Sequence, residues 1–600
     1  MEEGDYSLPE ASLFLGFDCS TQSLKATVLD ANLVVVATEF VHFDSDLPHY
    51  KTEGGVYRDP LINGRIVSPP LMWVEALDVM LERLSKRLDL AKIVSISGSA
   101  QQHGSVYWKN GSFRILSSLN PDIRLVDQLG EAFSLKESPI WMDSSTTEQC
   151  KKIEEAVGGA LELHCLTGSR AHERYVAPQV RKIYEKLPEV YHSTERISLV
   201  SSFMGSLLIG GYACIDETDG AGMNLMDIKE RQWSNVALEA TAPYLEQKLG
   251  KLAPSYAVSG FIAPYFANRF HFDKNCLVIQ WSGDNPNSLA GANFSHNPAS
   301  LPPLGLGSSV HLSLFPSGGL VSSCLLGLTL EAGDLAISLG TSDTVFGITD
   351  EPQPCLESHV FPIPVDTKGF MVMLVYKNGS LTREDVRNRY AEKSWEIFDN
   401  HLRQTPPLNE GKLGFYYKEH EILPPLPVGF HRYVLNNLTS HGLDGVIEQE
   451  VDEFDAPSEV RALIEGQFLS MRAHVERVGI LLPPKRLVVT GGASSNECIL
   501  AVVASIFGCD VHTIPRPDSA PLGAALRAAH GWMCYEKGSF VPIRFLYDGK
   551  LEKTSLCSKL SVHAGDPILT SKYALVMRKR IEIEDRLVRK LGRLQNPCFS

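Results

Sequence analysis

Of 600 residues only twelve are cysteine, and no two of them stand as Cys-x-x-Cys or at dense regular spacing. Neither a zinc site of the familiar kind nor a disulfide framework is indicated, and a reducing compartment fits best. The opening residues, MEEGDYSLPEAS, are acidic and lack both a basic-apolar leader and an Arg-rich transit pattern, so the expected location is cytoplasmic. Cations are also in deficit. The 56 Lys and Arg against 71 Asp and Glu leave a formal net charge of -15, a field that repels polyanions and excludes a general binder of nucleic acid or anionic membrane. An anionic substrate would need local help from backbone amides and a divalent cation.

Two apolar hairpins far apart in the chain supply such help. LFLGFDCSTQSLKATVLD runs from Leu13 to Asp30 and DLAISLGTSDTVFGITD from Asp334 to Asp350. Each reads as strand, hydroxyl-rich tight turn, strand. Turns of this kind offer N–H groups and hydroxyls together, and two of them across a cleft would grip a polyphosphate from both sides. A nucleoside triphosphate is the expected ligand. With 44% hydrophobic residues the chain can build more than one core.

Around the hairpins, helical periodicity over Trp73 to Leu88, Gln179 to Lys186 and Val460 to Val478 alternates with short buried-strand runs such as Lys92 to Ile96. The alternation predicts a layered α/β protein. Ser571 to Leu594 reads as a charged helix with an apolar stripe, expected to be a solvated surface element. From Asn285 through Leu330 there is no Asp, Glu, Lys or Arg. Pro302, Pro303 and Pro316 interrupt this stretch, which argues against a membrane helix. Its length without periodicity marks 292–327 as an irregular insertion between an N-terminal unit, 1–291, and a C-terminal unit, 328–600. A retained intron or a gene-model error would produce such a segment.

Several residues at the ends of predicted strands could carry chemistry. Asp18 ends the first strand before Cys19-Ser20-Thr21, where its carboxylate could anchor Mg2+ through water or simply cap the turn. Gly340-Thr341-Ser342 forms the second turn. The run RLVVTGGASSN joins strand Arg486 to Thr490 to an apolar helix, Cys498 to Phe507, a geometry that lets a ligand approach backbone closely. That run lacks a Walker lysine and the Gly-x-Gly-x-x-Gly spacing, so neither a P-loop nor a dinucleotide fold is indicated. Asp284 and Asn285 follow strand Leu277 to Trp281 at a Ser-Gly turn, either as exposed functional groups or as an ordinary Asp-Asn-Pro turn. Gln102-His103 follows the strand ending at Ile96. Here a satisfied structural histidine competes with a sugar-binding one.

Taken together, FDCSTQSLK, SGSAQQHGSVYW, WMDSSTT, LTGSRAHERY, WSGDNPNSLAG, SLGTSDT, KNGSL and VTGGASSNE resemble the FGGY carbohydrate kinases over nearly the whole chain outside the uncharged segment. The resemblance implies two ribonuclease H-like domains of the actin and hexokinase type, with sugar and ATP in the cleft between them. It implies ATP-dependent phosphorylation of D-xylulose by a monomer or homodimer. By matching position, Asp284 would be the general base, with Asn285, Gln102, His103 and Arg174 holding the sugar. Asp18, Ser20, Thr21 and Lys25 would form the first phosphate hairpin, and Gly340, Thr341 and Ser342 the second. Gly491, Gly492, Ala493 and Asn496 match the adenosine motif, and Trp395 falls where related enzymes touch nucleotide. Ser20 stands where many members have Gly, and Asp518 where bacterial relatives often have Glu. Another ketose such as ribulose, or a silent isoform whose insertion blocks domain closure, are the competing readings.

Overall fold

The first strand alternates its faces so that each meets a different partner. In this computed structural model, which describes residues 7–284, 333–340, 342–363, 369–436, 446–513, 519–547 and 559–595, β1 (Leu13–Cys19), β2 (Ser23–Asp30) and β3 (Val35–His42) form an antiparallel meander. Asn285, Thr341, Asp518 and the whole of 292–327 lie outside the described residues. Helix α1 (Pro70–Ser85) leads into β4 (Ile93–Ala100), parallel to β1. A long excursion carries α2 (Val176–Lys186), α3 (Val200–Ile209) and β5 (Val258–Phe261). It returns to β6 (Leu277–Ile279) and β7 (Ser282–Gly283), both parallel to β4.

The second half repeats this plan. β8 (Asp334–Leu339) and β9 (Asp343–Thr349) form a hairpin, with β10 (His359–Pro362) and β11 (Phe370–Tyr376) extending it antiparallel. Then come α4 (Ser380–Tyr390), α5 (Trp395–Gln404) and α6 (Ala456–Arg477). β12 (Arg486–Gly491) lies parallel to β8, α7 (Glu497–Phe507) follows, and β13 (Val511–Thr513) lies parallel to β12. The successions β3-β2-β1-β4-β6 and β11-β9-β8-β12-β13 have the same neighbours and the same senses, two antiparallel pairs and then two parallel ones. Two copies of one ribonuclease H-like sheet, each opened by one of the two hairpins, are therefore present. This is the α/β fold that the motifs implied.

Helix α8 (Ser519–Lys537) departs from the expected division at 328. It packs not on the second sheet but on the first, against β1 and β4. Phe14 and Leu29 meet Leu522, Ala525, Leu526 and Ala529, while Leu15 and Phe17 face the opposite layer with Trp73, Leu77 and Trp281. Both faces of β1 are thus covered, as its near-continuous apolar run requires. A side chain at Gly16 would place its Cβ 2.0 Å from the Ala525 amide nitrogen, so this contact needs glycine. Ser95 Oγ donates to the Ala528 carbonyl at 2.8 Å, and Arg527 donates to the carbonyls of Ser255 and Gln280 at 2.6 and 2.8 Å. The chain then returns through β14 (Lys559–Val562), antiparallel to β13, to α9 (Pro567–Gln595).

Helix α9 also corrects an expectation. Its apolar stripe, Tyr573, Val576, Met577, Ile583 and Leu587, is buried in the second core. Two of its charged residues, Arg580 and Glu584, are buried with it, paired to each other, and Glu584 lies 3.0 Å from His474 Nε2 on α6. Arg580 and His474 hold the Glu584 carboxyl down at about 2, against the pull of burial. These two charges are internal while Arg578, Glu582, Asp585 and Arg586 stay exposed, so the helix is a docked element with one solvated face.

Candidate active site

Strand pairing sets the site. Asp18 pairs with Ser99 across β1 and β4, Cys19 with Ala100, and Gly283 with Ala100 across β7 and β4. Asp18, Gln101-Gln102-His103 and Asp284 therefore leave one sheet at one carboxyl edge, where open α/β sheets bind ligands. The Gln101 amide donates to the Cys19 carbonyl at 2.9 Å and ties two of these ends together. Asp18 is buried, with Ser99 Oγ donating to its Oδ1 at 2.6 Å, and Lys25 faces it across the hairpin. The Cα of Gly283 lies against Gln102 and Asp219. A Cβ there would stand 2.4 Å from Gln102 Cγ and 2.9 Å from Asp219 Oδ1.

His103 holds a left-handed backbone, φ +65°, which costs a non-glycine residue energy and is found at ligand clamps. Its Nδ1 lies 2.9 Å from the Gly222 carbonyl. A carbonyl only accepts, so Nδ1 carries the proton and Nε2 keeps a lone pair for a hydroxyl donor. Burial, with the nearby Arg174 guanidinium, pushes the imidazole down to about 3 and keeps it neutral. Its ring stacks on Tyr175 at 4.3 Å. Arg174 is thus placed near His103.

In the first hairpin the turn uses Ser20 for its own closure. The Ser20 amide and hydroxyl both donate to the Ser23 carbonyl, at 3.0 and 2.9 Å, so Ser20 does not present the donors expected of it. Thr21 Oγ1 accepts from Trp141 Nε1 at 2.9 Å and keeps its own proton to donate. In the second sheet, Leu339 pairs with Gly491 across β8 and β12, which brings Gly340 and Ser342 beside Gly491 and Gly492 at one edge. Gly491 has φ +89°, and a Cβ on it would meet the Leu339 carbonyl oxygen at 2.3 Å. Among the described residues, chain neighbours aside, nothing lies within 4 Å of where a Gly492 Cβ would sit. Ala493 packs on the core, and Asn496 caps α7 by accepting from the Ile499 amide at 3.0 Å. Trp395 opens α5, two-fifths exposed, with the Arg387 guanidinium 4.7 Å above its ring.

Sequence reasoning missed four supports, three of them buried. Asp216 accepts from Ser282 Oγ at 2.6 Å, directly beneath the Asp284 turn. Asp219 accepts from Ser201 Oγ at 2.5 Å, and burial together with the Asp216 charge raises it to about 7, against Ser201 and Gln102. Asp399, one turn along α5 from Trp395, accepts from Asn496 Nδ2 at 2.7 Å. Arg383 grips Asp343 through two bonds of 2.7 and 2.9 Å at the root of the second turn. The pair of aspartates in IDETDGAG was the one visible signal, two acids three apart beside glycine. Among the described residues no cluster of three or more His, Cys, Asp or Glu could hold a metal, and no helix is long and apolar enough to cross a membrane.

Two sheets of one topology, each opened by a hairpin whose turn lies at its carboxyl edge, define a two-domain actin- and hexokinase-like ATPase fold. The chain belongs to the FGGY family of carbohydrate kinases, whose N-terminal domain model matches residues 122–291 and whose C-terminal domain model matches 335–532. It is a sugar kinase, and kinases of this family use ATP. It is 64% identical over 589 residues to a protein named xylulose kinase 2 from Arabidopsis thaliana, covering 98% of this chain and 99% of that one. To the xylulose kinase of Mus musculus it is 45% identical over 521 residues, covering 86% and 85%. In fold it is similar to the ligand-bound xylulose kinase from Lactobacillus acidophilus, with a TM-score of 0.72 at 16% identity over 97% of this chain and 100% of that one.

Proposed function

We propose that the chain transfers the γ-phosphoryl group of ATP to D-xylulose, giving D-xylulose 5-phosphate. The names of relatives at 64% and 45% identity support the sugar. The observation that carries the chemistry is the meeting of Asp18, Gln102, His103 and Asp284 at one sheet edge.

His103 Nε2 accepts a sugar hydroxyl, and Gln102, Arg174 and Asn285 complete the polar lining. A sugar of the wrong epimer leaves such buried groups unpaired, which discriminates strongly. Asp284 takes the proton of the attacking hydroxyl as its oxygen bonds to the γ-phosphorus and the bond from phosphorus to the ADP oxygen breaks. Thr21 and Lys25 on one side, and Gly340, Thr341 and Ser342 on the other, hold the phosphates in line. Gly491, Gly492, Ala493 and Asn496, with Trp395, hold the adenosine. One carboxylate beside substrate phosphates suits Mg2+, so Asp18 would hold that ion through water, where it would neutralise phosphate charge.

Asp284→Asn retains D-xylulose binding by calorimetry and loses ~10²-fold or more in kcat, the usual scale of a general base. Unchanged turnover removes Asp284 from the role. The full chain and a variant lacking 292–327 are both expected to phosphorylate D-xylulose in a coupled assay. Activity confined to the shortened variant would support the silent-isoform reading instead.

A further inference from the structure

Besides the packing of α8 on the first sheet, one seam between the two halves runs along residues 164–175 and 355–361. Two of its bonds involve backbone of the second half: the Val360 amide donates to the Gly168 carbonyl at 2.8 Å, and the Cys355 amide donates to His164 Nε2 at 3.2 Å. The third joins two side chains. Tyr175 Oη lies 2.6 Å from His359 Nδ1, and both residues are buried.

Tyr175 faces both ways. Its ring stacks on His103 at 4.3 Å with 23° between planes, while its hydroxyl reaches His359, the first residue of β10. From His359 the ladder runs through Met373 on β11 to Phe346 on β9, the strand that leaves the second phosphate turn. The His172 ring lies 4.7 Å from His359 and 5.1 Å from Tyr175. Its buried Nε2 has no hydrogen-bond partner among the described residues. A buried polar cluster with an unsatisfied member has alternative pairings close at hand.

We propose that Tyr175 and His359 are positioning residues that couple sugar occupancy at His103 to the geometry of the second phosphate turn, so that sugar tightens nucleotide binding through this hydrogen bond. The inference rests on the reading that His103 receives the sugar. A hydroxyl bound at His103 Nε2 fixes the imidazole, the imidazole fixes the Tyr175 ring against it, and the phenol oxygen is then held at the distance His359 requires. Burial supports this arrangement by keeping the phenol protonated, with Tyr175 raised to about 12, and by keeping His359 neutral. Coupling of this kind is a ratio of affinities and is reciprocal between the two ligands.

The test uses the full chain and a non-hydrolysable ATP analogue, with its Kd measured with and without saturating D-xylulose. Wild-type chain is expected to bind the analogue ~5-fold or more tightly with sugar present. In Tyr175→Phe, which keeps the stacking ring, the ratio falls to within about 2-fold of unity while the Kd for sugar alone moves less than about 3-fold. His359→Ala loses the ratio likewise, and His359→Asn, whose amide reaches the place of Nδ1, restores it. The histidine pair carries the test if Tyr175→Phe does not fold. A simple loss of stability would lower Tm without abolishing the ratio. Coupling at wild-type strength in Tyr175→Phe or His359→Ala, or absent from the wild type, overturns the inference. His103→Ala separates the two readings: unchanged sugar affinity there removes the sugar site itself, whereas lost sugar binding with intact coupling in Tyr175→Phe removes only the link.

Discussion

The Asn496 side-chain amide donates to the Asp399 carboxylate across 2.7 Å, joining the start of α7 to α5. Asp399 lies four residues after Trp395, on the same face of the helix, so one carboxylate orients the asparagine while its helix presents the indole. Asp399→Ala is expected to raise KM for ATP several-fold and to leave the sugar KM unchanged in initial-rate kinetics. A change confined to the sugar would place Asp399 elsewhere in the mechanism.

At the root of the second turn, Arg383 and Asp343 are buried to 1% and 0% side-chain exposure and bonded through both guanidinium nitrogens. Removing one partner strands the other charge. Arg383→Ala should cost about 3–5 kcal/mol, read as a lower denaturation midpoint in urea. A midpoint equal to wild type would mean that water reaches Asp343.

Gly16 admits no side chain, because its Cβ would meet α8 backbone at 2.0 Å. Gly16→Ala must push α8 away from β1, so Tm should fall by several degrees with the largest gain in hydrogen exchange over 519–537. Protection lost only in the second sheet would contradict this placement of α8.

Buried histidines make stability depend on pH. His103 is lowered to about 3 and His164 and His530 to about 4, chiefly by burial, with His172 and His359 lowered as well. The unfolded chain protonates each near pH 6.5 whereas the fold refuses the proton until far lower. Their contribution is therefore complete above about pH 6.5 and falls away as pH drops below it. Asp219, raised to about 7, and Asp78, raised to about 6, act in the opposite sense, as do Glu217, Asp343, Glu421 and Glu465, all raised by burial; among the described residues these six acids face seven lowered histidines once His431 and His512 are counted. Tm should be lower at pH 5 than at pH 7.5 in a thermal melt. An equal or higher Tm at pH 5 would show that the acids dominate.

Both hairpins were legible because period-two apolar runs flank hydroxyl-rich turns, and the observed bounds, Leu13–Cys19 with Ser23–Asp30 and Asp334–Leu339 with Asp343–Thr349, follow that pattern. Asp284 and His103 could be found because each follows a short apolar strand. Asp399, Arg383 and the Tyr175–His359 pair could not, since their meaning lies in partners 40 to 184 residues away. Helix α9 misled for a related reason. Most of its charges are solvated as the chain suggests, yet Glu584 answers Arg580 on its own helix and His474 on another. Ser20 misled locally, because composition names donors without saying whether the turn has already engaged them.

The placement of α8 on the first sheet bears on how the polypeptide emerges from the ribosome. The amino-terminal body lacks one wall until roughly residue 537 has left the exit tunnel, by which point most of the other body has been synthesised. Neither half should therefore persist as a native fragment, and a stop codon after β13 would leave β1 with one bare apolar face.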